Sequence, residues 1–322
     1  MQNNNDTKRP LLFLFALLLA VILASGIALY TSGPDSVIAG KVSAATAKAF
    51  TGGTFEASGV VHVPGTSGIL FIDDGKPNEV FWMELDEGGS QRGSIKAVNL
   101  GVSIEDPEGI TTDGTHFYIV SSQARSKSGA QAGIVRFKFN PASQTAEEAQ
   151  TVGELKQMLV NNVNELRDMG AVKAKDDGIN IEAIAWDPAQ GQLLLGLRSP
   201  VIDGHALVVP LKLNDAGSQF SLQQPKSGRI EAIRLALGGQ GIRSLEYDEK
   251  SKLFHIIAGA TESQDKTDFK LWEWKGDASQ TGLRDVATLD RKLKPEGVTR
   301  ASVGNSDFKF LVFDTSKYLK MQ

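Results

Sequence analysis

A strand–turn–strand unit that recurs five times is the feature of this sequence that most restricts its fold. Each copy has a short apolar strand, a turn rich in Gly, Asp, Asn or Pro, and a second, strongly apolar strand. The central residues of the first strands lie 50, 74, 61 and 53 positions apart, and they are Val60, Ile110, Ile184, Leu245 and Val298. These intervals suit four-stranded blades of about 40–50 residues plus loops, so the sequence predicts an all-β propeller.

Further apolar segments supply the outer strands. Third strands are expected at 80–85, 134–139, 206–213 and 270–274, and fourth strands at 95–100, 230–237 and 286–289. Too few residues follow Phe313 to complete the fifth blade, so its outer strands are expected from the segment before Ser58. Five blades fit this count best, with six as the alternative. A β-sandwich would not naturally repeat one unit five times.

The N-terminus predicts a membrane segment. Lys8 and Arg9 precede an uncharged, mostly apolar run over 11–30, which is long enough to cross a bilayer as a helix. Basic residues before such a run favour an exported remainder. We therefore expect 1–32 to be a signal anchor or signal peptide, 33–54 a tether and 55–322 the propeller. The protein would face the periplasm or cell exterior on the inner membrane, or be secreted if the segment is cleaved.

An inserted helix is predicted over 151–170. Thr151 and Glu154 match a capping box, and Gly170 is a plausible helix end. Apolar residues then recur at helical spacing, and they are Leu155, Met158, Leu159, Val163, Leu166 and Met169. The stripe favours a helix that packs on the propeller, and the alternative is a lid or partner helix.

The first strand of a propeller blade lines the central channel. The repeat therefore places the first residue of each unit near the axis, and these residues are Ser58, Glu108, Glu182, Arg243 and Glu296. Converging carboxylates are costly unless they are neutralised. Ca²⁺ bound by Glu108, Glu182 and Glu296 would do this, and so would pairing with Arg243. The structural alternative is that these polar side chains and water fill the channel and fix the register of the blades.

Two strand ends carry further charged side chains. Arg198 follows an apolar strand and precedes Ser199-Pro200, a position from which it can bind an anionic ligand or pair with a neighbouring blade. Asp73 and Asp74 end another strand before Gly75, where they can bind a cation but first signal a turn. We take Arg198, Arg243 and Asp73 as candidate ligand-binding residues.

Composition excludes several classes of function. The net charge of −4 argues against a nucleic-acid binder, and the absence of cysteine excludes disulfides and thiolate chemistry. The four histidines lack metal-ligand spacing, and no serine-hydrolase elbow, phosphate loop or dinucleotide fingerprint occurs. No catalytic residue is therefore nominated.

Several motifs, in order, resemble the uncharacterised bacterial family called domain of unknown function 3616, over residues 58–315. They are Asp106-Pro107-Glu108-Gly109-Ile110, Asn180-Ile181-Glu182-Ala183, the 195–200 segment, Gly241-Ile242-Arg243, Leu271-Trp272-Glu273-Trp274 and Lys294-Pro295-Glu296-Gly297. The repeated Glu-Gly-Ile pattern is also similar, more distantly, to phytase-like extracytoplasmic propellers. That resemblance implies a calcium-dependent phosphoesterase. The chain departs from it at Ala183, where glycine is expected, and at Ser121-Ser122-Gln123, where a Gly-Ser-His-like segment is expected.

The expected function is that of an exported, membrane-tethered binding module with a polar, acidic central channel. Its ligand would be a small anion, a cation-bridged molecule or a protein partner, and its cofactor, if one is used, would be Ca²⁺. The calcium-dependent phosphoesterase is the alternative.

Overall fold

Five antiparallel sheets, each built mainly from consecutive strands, make up the computed structural model, which describes residues 40–124, 132–214, 219–225 and 228–322. The predicted five-bladed propeller is confirmed. Blade I contains β3 (Ala57–His62), β4 (Gly68–Asp73), β5 (Glu79–Leu85) and β6 (Gln91–Asn99), and blade II contains β7 (Pro107–Thr112), β8 (Phe117–Ser121), β9 (Ala132–Asn140) and β10 (Thr145–Gly153). Blade III contains β11 (Asn180–Asp187), β12 (Gln192–Ser199), β13 (Ala206–Lys212) and β14 (Ile233–Leu235).

The last two blades use strands from both ends of the described chain. Blade IV contains β15 (Gly241–Asp248), β16 (Leu253–Gly259), β17 (Phe269–Trp274), β18 (Arg284–Leu289) and a short parallel strand, β1 (Lys41–Val42). Blade V contains β19 (Pro295–Val303), β20 (Ser306–Phe313), β21 (Lys317–Met321) and β2 (Lys48–Ala49). A 3₁₀ turn, Ala44–Thr46, separates β1 from β2.

Ring closure by the segment before Ser58 is confirmed for one strand of blade V. Strand β2 pairs antiparallel with β21, with Lys48 opposite Tyr318. The expectation that the chain runs out after Phe313 is wrong, because β21 supplies the third strand of the blade. The Phe50 ring then stacks on the Phe71 ring of blade I, with 5.1 Å between the ring centres. The segment that closes the ring is therefore also packed in the buried cluster between blades V and I.

Buried apolar side chains in the described part of the chain form five clusters, one between each pair of neighbouring blades. Each blade therefore contributes one face to the cluster before it and one to the cluster after it. Burying a Leu- or Phe-sized side chain contributes about 1.5–3 kcal/mol. The stability of each sheet therefore depends on its two neighbours.

The inner strands, which are the first strands of the blades, approach one another closely. A Cβ on Gly109 would lie 2.8 Å from the Ile184 nitrogen of blade III, and one on Gly297 would lie 3.0 Å from the Val60 nitrogen. In blade III the glycine is on the neighbouring strand instead, where Gly196 lies opposite Ala183. A Cβ on Gly196 would be 2.9 Å from the Cβ of Ala183. Ala183 therefore replaces the glycine that the other repeats have after the bulged glutamate, and the glycine opposite it on β12 leaves room for the alanine methyl group.

The helix in the insert between blades II and III is shorter than the predicted helix over 151–170. Helix α1 spans Leu155–Asn162, and 3₁₀ turns follow at Asn164–Leu166 and Ala174–Asp176. The predicted capping box is wrong, because Thr151 belongs to β10 and Glu154 has a left-handed φ of 54° with no side-chain cap. Gln123 Oε1 accepts a hydrogen bond from the first-turn amide of Lys156 instead, at 3.2 Å.

The apolar stripe of the insert does pack on the propeller. Leu155, Leu159, Val163 and Leu166 are at most 1% exposed and join the cluster between blades II and III. This contact agrees with the packing interpretation of the stripe. The predicted membrane segment, 11–30, lies outside the described residues. Within those residues, no helix has the length and apolar character needed to span a membrane.

Candidate functional site

A β-bulge interrupts the inner strand of every blade. In blade II, for example, Pro107 is opposite Ser121 and Gly109 is opposite Val120, which leaves Glu108 between them without a partner. The bulged residues are Ser58, Glu108, Glu182, Arg243 and Glu296, the same five that the repeat places near the axis. A bulge re-aims the side chain of its extra residue. All five of these residues line one cavity at one end of the channel.

Arg243 holds two of the carboxylates together. Its Nε and a terminal nitrogen donate to the two oxygens of Glu296, with a distance of 2.9 Å from Nε to Oε2. The same Nε lies 2.9 Å from Glu182 Oε2, and Nη1 donates to Glu182 Oε1 at 3.2 Å. Although burial opposes its charge, Glu182 and Glu296 raise the pKa of Arg243 above its ordinary value. The guanidinium is therefore a fixed positive charge on the axis.

Arg198 makes a second ion-pair bridge beside Arg243. Its Nη1 lies 3.0 Å from Glu182 Oε1 and 2.6 Å from Glu262 Oε1, and its Nε donates to the Ala260 carbonyl at 3.2 Å. Glu182 belongs to the same blade, whereas Ala260 and Glu262 follow the second strand of blade IV. The pairing with a neighbouring blade therefore exists, and Arg198 also lines the cavity.

The cavity has a volume of about 480 Å³ and an excess of acidic side chains. Its carboxylates are Glu56, Asp74, Asp106, Glu108, Glu182, Glu262, Glu296 and Asp314, and its cations are Lys175, Arg198, Arg243 and Lys294. Lys294 pairs with Asp314 at 2.5 Å. The two arginines take Glu182, Glu262 and Glu296, and Lys294 takes Asp314. The remaining acids are therefore on the side of blades I and II, and they are Glu56, Asp74, Asp106 and Glu108.

Burial and crowding make this acidic side costly to ionise. Burial, followed by the charges of Glu182, Asp106 and Glu296, raises the pKa of Glu108 well above its usual range. Burial, with Glu56 as the largest charge effect, raises the pKa of Asp74 to about 6. Glu108 has no hydrogen-bond or ion-pair partner among the described residues. Burial raises the pKa of Glu296 to about 7 even though Arg243 opposes the shift.

Three carboxylates on the acidic side are close enough to share one cation. One oxygen from each of Asp74, Asp106 and Glu108 lies within 4.8 Å of the others. Ser122 donates a short hydrogen bond to Asp106 and so fixes its carboxylate. The set differs from the predicted Glu108, Glu182 and Glu296, because Arg243 occupies the space between the last two.

Asp73 does not line the cavity, and Asp74 does. The Asp73 carboxylate accepts hydrogen bonds from the Glu56 and Gly75 amides, at 3.1 and 3.0 Å, so it holds the turn. Asp73 therefore has the structural role of a turn residue, which is one of the two roles that the sequence predicts for this Asp-Asp-Gly segment. The ligand-facing position belongs to Asp74, whose Oδ1 is buried without a hydrogen-bond partner.

A second ring of cavity residues was not predicted from the sequence. Two positions before the bulge, four of the five blades place a polar side chain on the cavity wall, and these are Glu56, Asp106, Asn180 and Lys294. Each lies two positions before the bulged residue of its repeat, and this constant spacing is the pattern from which the sequence could have predicted them. Asn180 donates to Glu182 at 3.0 Å, is 5% exposed, and leaves its Oδ1 buried without a partner.

A less polar layer of buried residues follows the bulged residues along the inner strands. It contains the residues three positions after each bulge, which are Val61, Thr111, Ala185, Glu246 and Thr299, and none is more than 8% exposed. Thr111 and Thr299 donate to the two oxygens of Glu246 at 3.5 and 3.3 Å. Burial raises the pKa of Glu246 well above its ordinary value, so the protonated form is favoured. Five buried residues, one from each blade, therefore follow the bulged residues along the inner strands.

The chain is similar to known proteins in family and in fold. The family model described as "Protein of unknown function (DUF3616)" matches residues 108–305. No curated protein matches the chain in sequence. The soluble aldose sugar dehydrogenase of Escherichia coli is 11% identical with a TM-score of 0.46, and the match covers 85% of this chain and 97% of that one.

Two other solved structures are similar at the same level. Myxococcus xanthus glutaminyl cyclase is 14% identical with a TM-score of 0.42, over 84% of this chain and 90% of that one. The Kuenenia stuttgartiensis hydrazine synthase chain is 10% identical with a TM-score of 0.37, over 79% of this chain. This chain spans 61% of the length of that protein. Similarities of this size carry no information about shared chemistry.

The buried Glu246 predicts a pH dependence of stability. The unfolded chain ionises this group near its ordinary pKa of 4.5, whereas the folded chain keeps the proton to higher pH. Stability therefore falls as pH rises above 4.5, by at most about 1.4 kcal/mol per pH unit, until the folded group ionises. Glu246→Gln removes this loss, so its melting temperature relative to the native chain should rise between pH 4.5 and pH 8.

The control for that measurement is Glu231→Gln, because Glu231 is exposed. Its melting temperature should follow the native chain at every pH. A Glu246→Gln difference that stays constant from pH 4.5 to pH 8 would contradict the assignment of a protonated Glu246.

Proposed function

The chain belongs to the DUF3616 family of proteins of unknown function, and we propose that its propeller is a binding module that holds a divalent cation at the acidic end of the channel. The observation that carries this proposal is the meeting of Asp74, Asp106 and Glu108 on one side of a cavity whose arginines are already paired. Asn180 lines the same cavity and has a buried side-chain oxygen without a hydrogen-bond partner, which supports the proposal independently.

The charges in the cavity support a cation over an anion on this side. Arg198 and Arg243 are engaged by Glu182, Glu262 and Glu296, and Lys294 is engaged by Asp314. Among the lining cations that the structure describes, Lys175 is the one left without an ion pair to offset Asp74 and Glu108. A bound divalent cation would supply the missing positive charge, because carboxylates held this close repel one another.

The chemistry of the donors favours Ca²⁺ or another hard cation. The carboxylates of Asp74, Asp106 and Glu108 offer only oxygen atoms, and neither histidine nor cysteine is among the described lining residues. Ca²⁺ binds six to eight oxygens in flexible geometry and completes its coordination with water or ligand oxygens. A cation at this position would keep open coordination sites on the cavity side. A small anionic ligand could then bind to the protein through the cation.

A calcium-dependent phosphoesterase is the second function that the same residues can serve. It would use the acidic side for metal and the arginines for the phosphate group. The ion pairs count against it, because the Arg243 guanidinium already forms a two-point contact with Glu296 and also contacts Glu182. A guanidinium engaged in this way has fewer donors for a reacting phosphoryl group. We therefore favour binding over catalysis.

We also propose that the module works outside the cytoplasm, tethered by 11–30. Support comes from the sequence, where Lys8 and Arg9 precede the apolar run. An alkaline phosphatase reporter joined after Gly53 should be active in cells, since that reporter requires export. An inactive but stably expressed fusion would contradict export.

Calcium binding by the purified full-length chain is the direct test. Isothermal titration should show one Ca²⁺ bound, and a chelator should lower the melting temperature of the loaded protein. Glu108→Gln keeps the shape of the side chain but removes one charged ligand, so calcium should bind about tenfold or more weakly, which corresponds to about 1.4 kcal/mol. Glu231→Gln, an exposed substitution of the same kind, should bind like the native chain.

Three outcomes decide between the proposals. No binding heat together with no chelator effect would remove the cation site. Equal weakening in Glu108→Gln and Glu231→Gln would mean that calcium binds elsewhere. Calcium-dependent turnover of a phosphate ester that is lost in Glu108→Gln would establish the phosphoesterase in place of the binding module.

A further inference from the structure

A second cavity, of about 400 Å³, lies beside the acidic one and carries the opposite charge. Its walls come from the segment after β16 in blade IV and from the segment that connects blade IV to blade V. Six cations line it, and they are Arg198, Arg243, Lys266, Arg291, Lys292 and Lys294. Its only acidic lining residues in the described part of the chain are Glu262, Glu296 and Asp314.

Each of those three acids already has a cation partner. Arg198 lies 2.6 Å from Glu262, Arg243 contacts Glu296, and Lys294 lies 2.5 Å from Asp314. The pairing uses up the three cations that this cavity shares with the acidic one. The lining acids therefore leave the positive charge of the other three unpaired, and Asp268, which does not line the pocket, interacts with the charge of Arg291.

The three remaining cations are Lys266, Arg291 and Lys292. Neither lysine has an ion-pair partner among the described residues. Arg291 donates from Nη1 to the Lys266 carbonyl at 3.1 Å, which ties the two wall segments together. Like charges gathered in this way repel one another, so an anion between them would be stabilised.

Thr261 gives a second and independent indication of a ligand. This residue lines the pocket, is 3% exposed, and has a buried hydroxyl without a hydrogen-bond partner. A buried hydroxyl left unpaired costs about 1–3 kcal/mol, so such groups are normally satisfied by protein, water or ligand. The Phe269 ring lies on the same wall, with Arg243 5.9 Å from its centre.

We propose that this pocket, defined by Thr261, Lys266, Phe269, Arg291 and Lys292, binds a doubly charged tetrahedral oxyanion. The oxyanion is a phosphate or sulfate group, either free or carried by a small molecule. Three cations and one hydroxyl supply donors from several directions, which suits four oxygens around one centre better than a planar carboxylate. The site goes beyond the proposed cation site and uses different residues.

The two cavities together give the channel mouth an acidic side at blades I and II and a basic side at blades IV and V. Between them lies the neutralised group formed by Arg198, Arg243, Glu182 and Glu296. A metal on one side and an oxyanion on the other would each meet opposite charge. The basic side needs no metal, because its positive charge comes from Lys266, Arg291 and Lys292.

The test is titration of the purified full-length chain with inorganic phosphate in the presence of a chelator. One phosphate should bind in a saturable manner, with sulfate competing and acetate binding more weakly. The double variant Lys266→Gln, Lys292→Gln should bind phosphate about tenfold or more weakly, because it loses two charge-assisted contacts. Lys212→Gln, a substitution of an exposed lysine on β13, should bind phosphate like the native chain.

Thr261→Val separates a ligand contact from a structural role. Valine has a similar shape and removes a hydroxyl that has no protein partner, so the melting temperature should not fall while phosphate binding weakens severalfold. A Thr261→Val variant with native phosphate affinity would overturn the role of the hydroxyl. Adding phenyl phosphate as a second titrant distinguishes a phosphate ester from free phosphate, since an ester should bind more tightly where Phe269 contacts its ring.

The failure of this proposal is distinguishable from the failure of the cation site. The two sites are titrated separately, with phosphate added in the presence of chelator and calcium added in the absence of phosphate, so either one can fail alone. Absence of saturable phosphate binding, or equal weakening by Lys212→Gln, would overturn the oxyanion site. Phosphate binding that appears only after Ca²⁺ is added would also overturn it, because the metal would then be the anion's partner.

Discussion

The buried contact of Arg243 with Glu182 and Glu296 is the interaction on which the channel end depends. Five bulges turn one side chain per blade toward the axis, and three of those side chains are carboxylates. Without a positive charge among them, ionised carboxylates at this spacing would oppose the approach of blades II, III and V. Arg243 supplies that charge from the bulge of blade IV and contacts both neighbours.

The same contact divides the mouth of the channel into two regions. Because Arg198 and Arg243 neutralise the acids around them, the unbalanced acids remain on the side of Asp74 and Glu108, and the unbalanced cations on the side of Lys266 and Lys292. Three residues further along the inner strands, Thr111 and Thr299 donate hydrogen bonds to the buried Glu246. The proposed cation and oxyanion sites therefore lie side by side at the same end of the channel.

The fold was largely predictable because its signal is repeated. Five copies of one apolar pattern predict five inner strand pairs, and each is present. Strand β10 was missed because its sequence, Thr145–Gly153, is polar and has one buried face at most. The cap of helix α1 was also missed, since Gln123 reaches it from a distant part of the sequence, and no local pattern encodes such a contact.

The site was predictable only in part, because contacts between side chains of different blades are not encoded in the local sequence pattern. Glu108, Glu182, Arg243 and Glu296 follow from position in the repeat, and the structure brings all four to one cavity. Which carboxylate pairs with which cation depends on side-chain reach across blades, and this is why Asp74 and Asp106 replace Glu182 and Glu296 beside Glu108. Asp73 was chosen over Asp74 because both fit a turn, and backbone geometry alone decides which one faces inward.

The central role of Arg243 can be measured most directly by a double-mutant cycle on the free energy of unfolding in urea. Arg243→Gln should cost about 3–5 kcal/mol, because it leaves buried carboxylates without their cation. Adding Glu296→Gln to that variant should recover part of the loss, giving a coupling energy of about 1–3 kcal/mol. Additive effects of the two substitutions would contradict the account, since they would show that the guanidinium and the carboxylate do not stabilise one another.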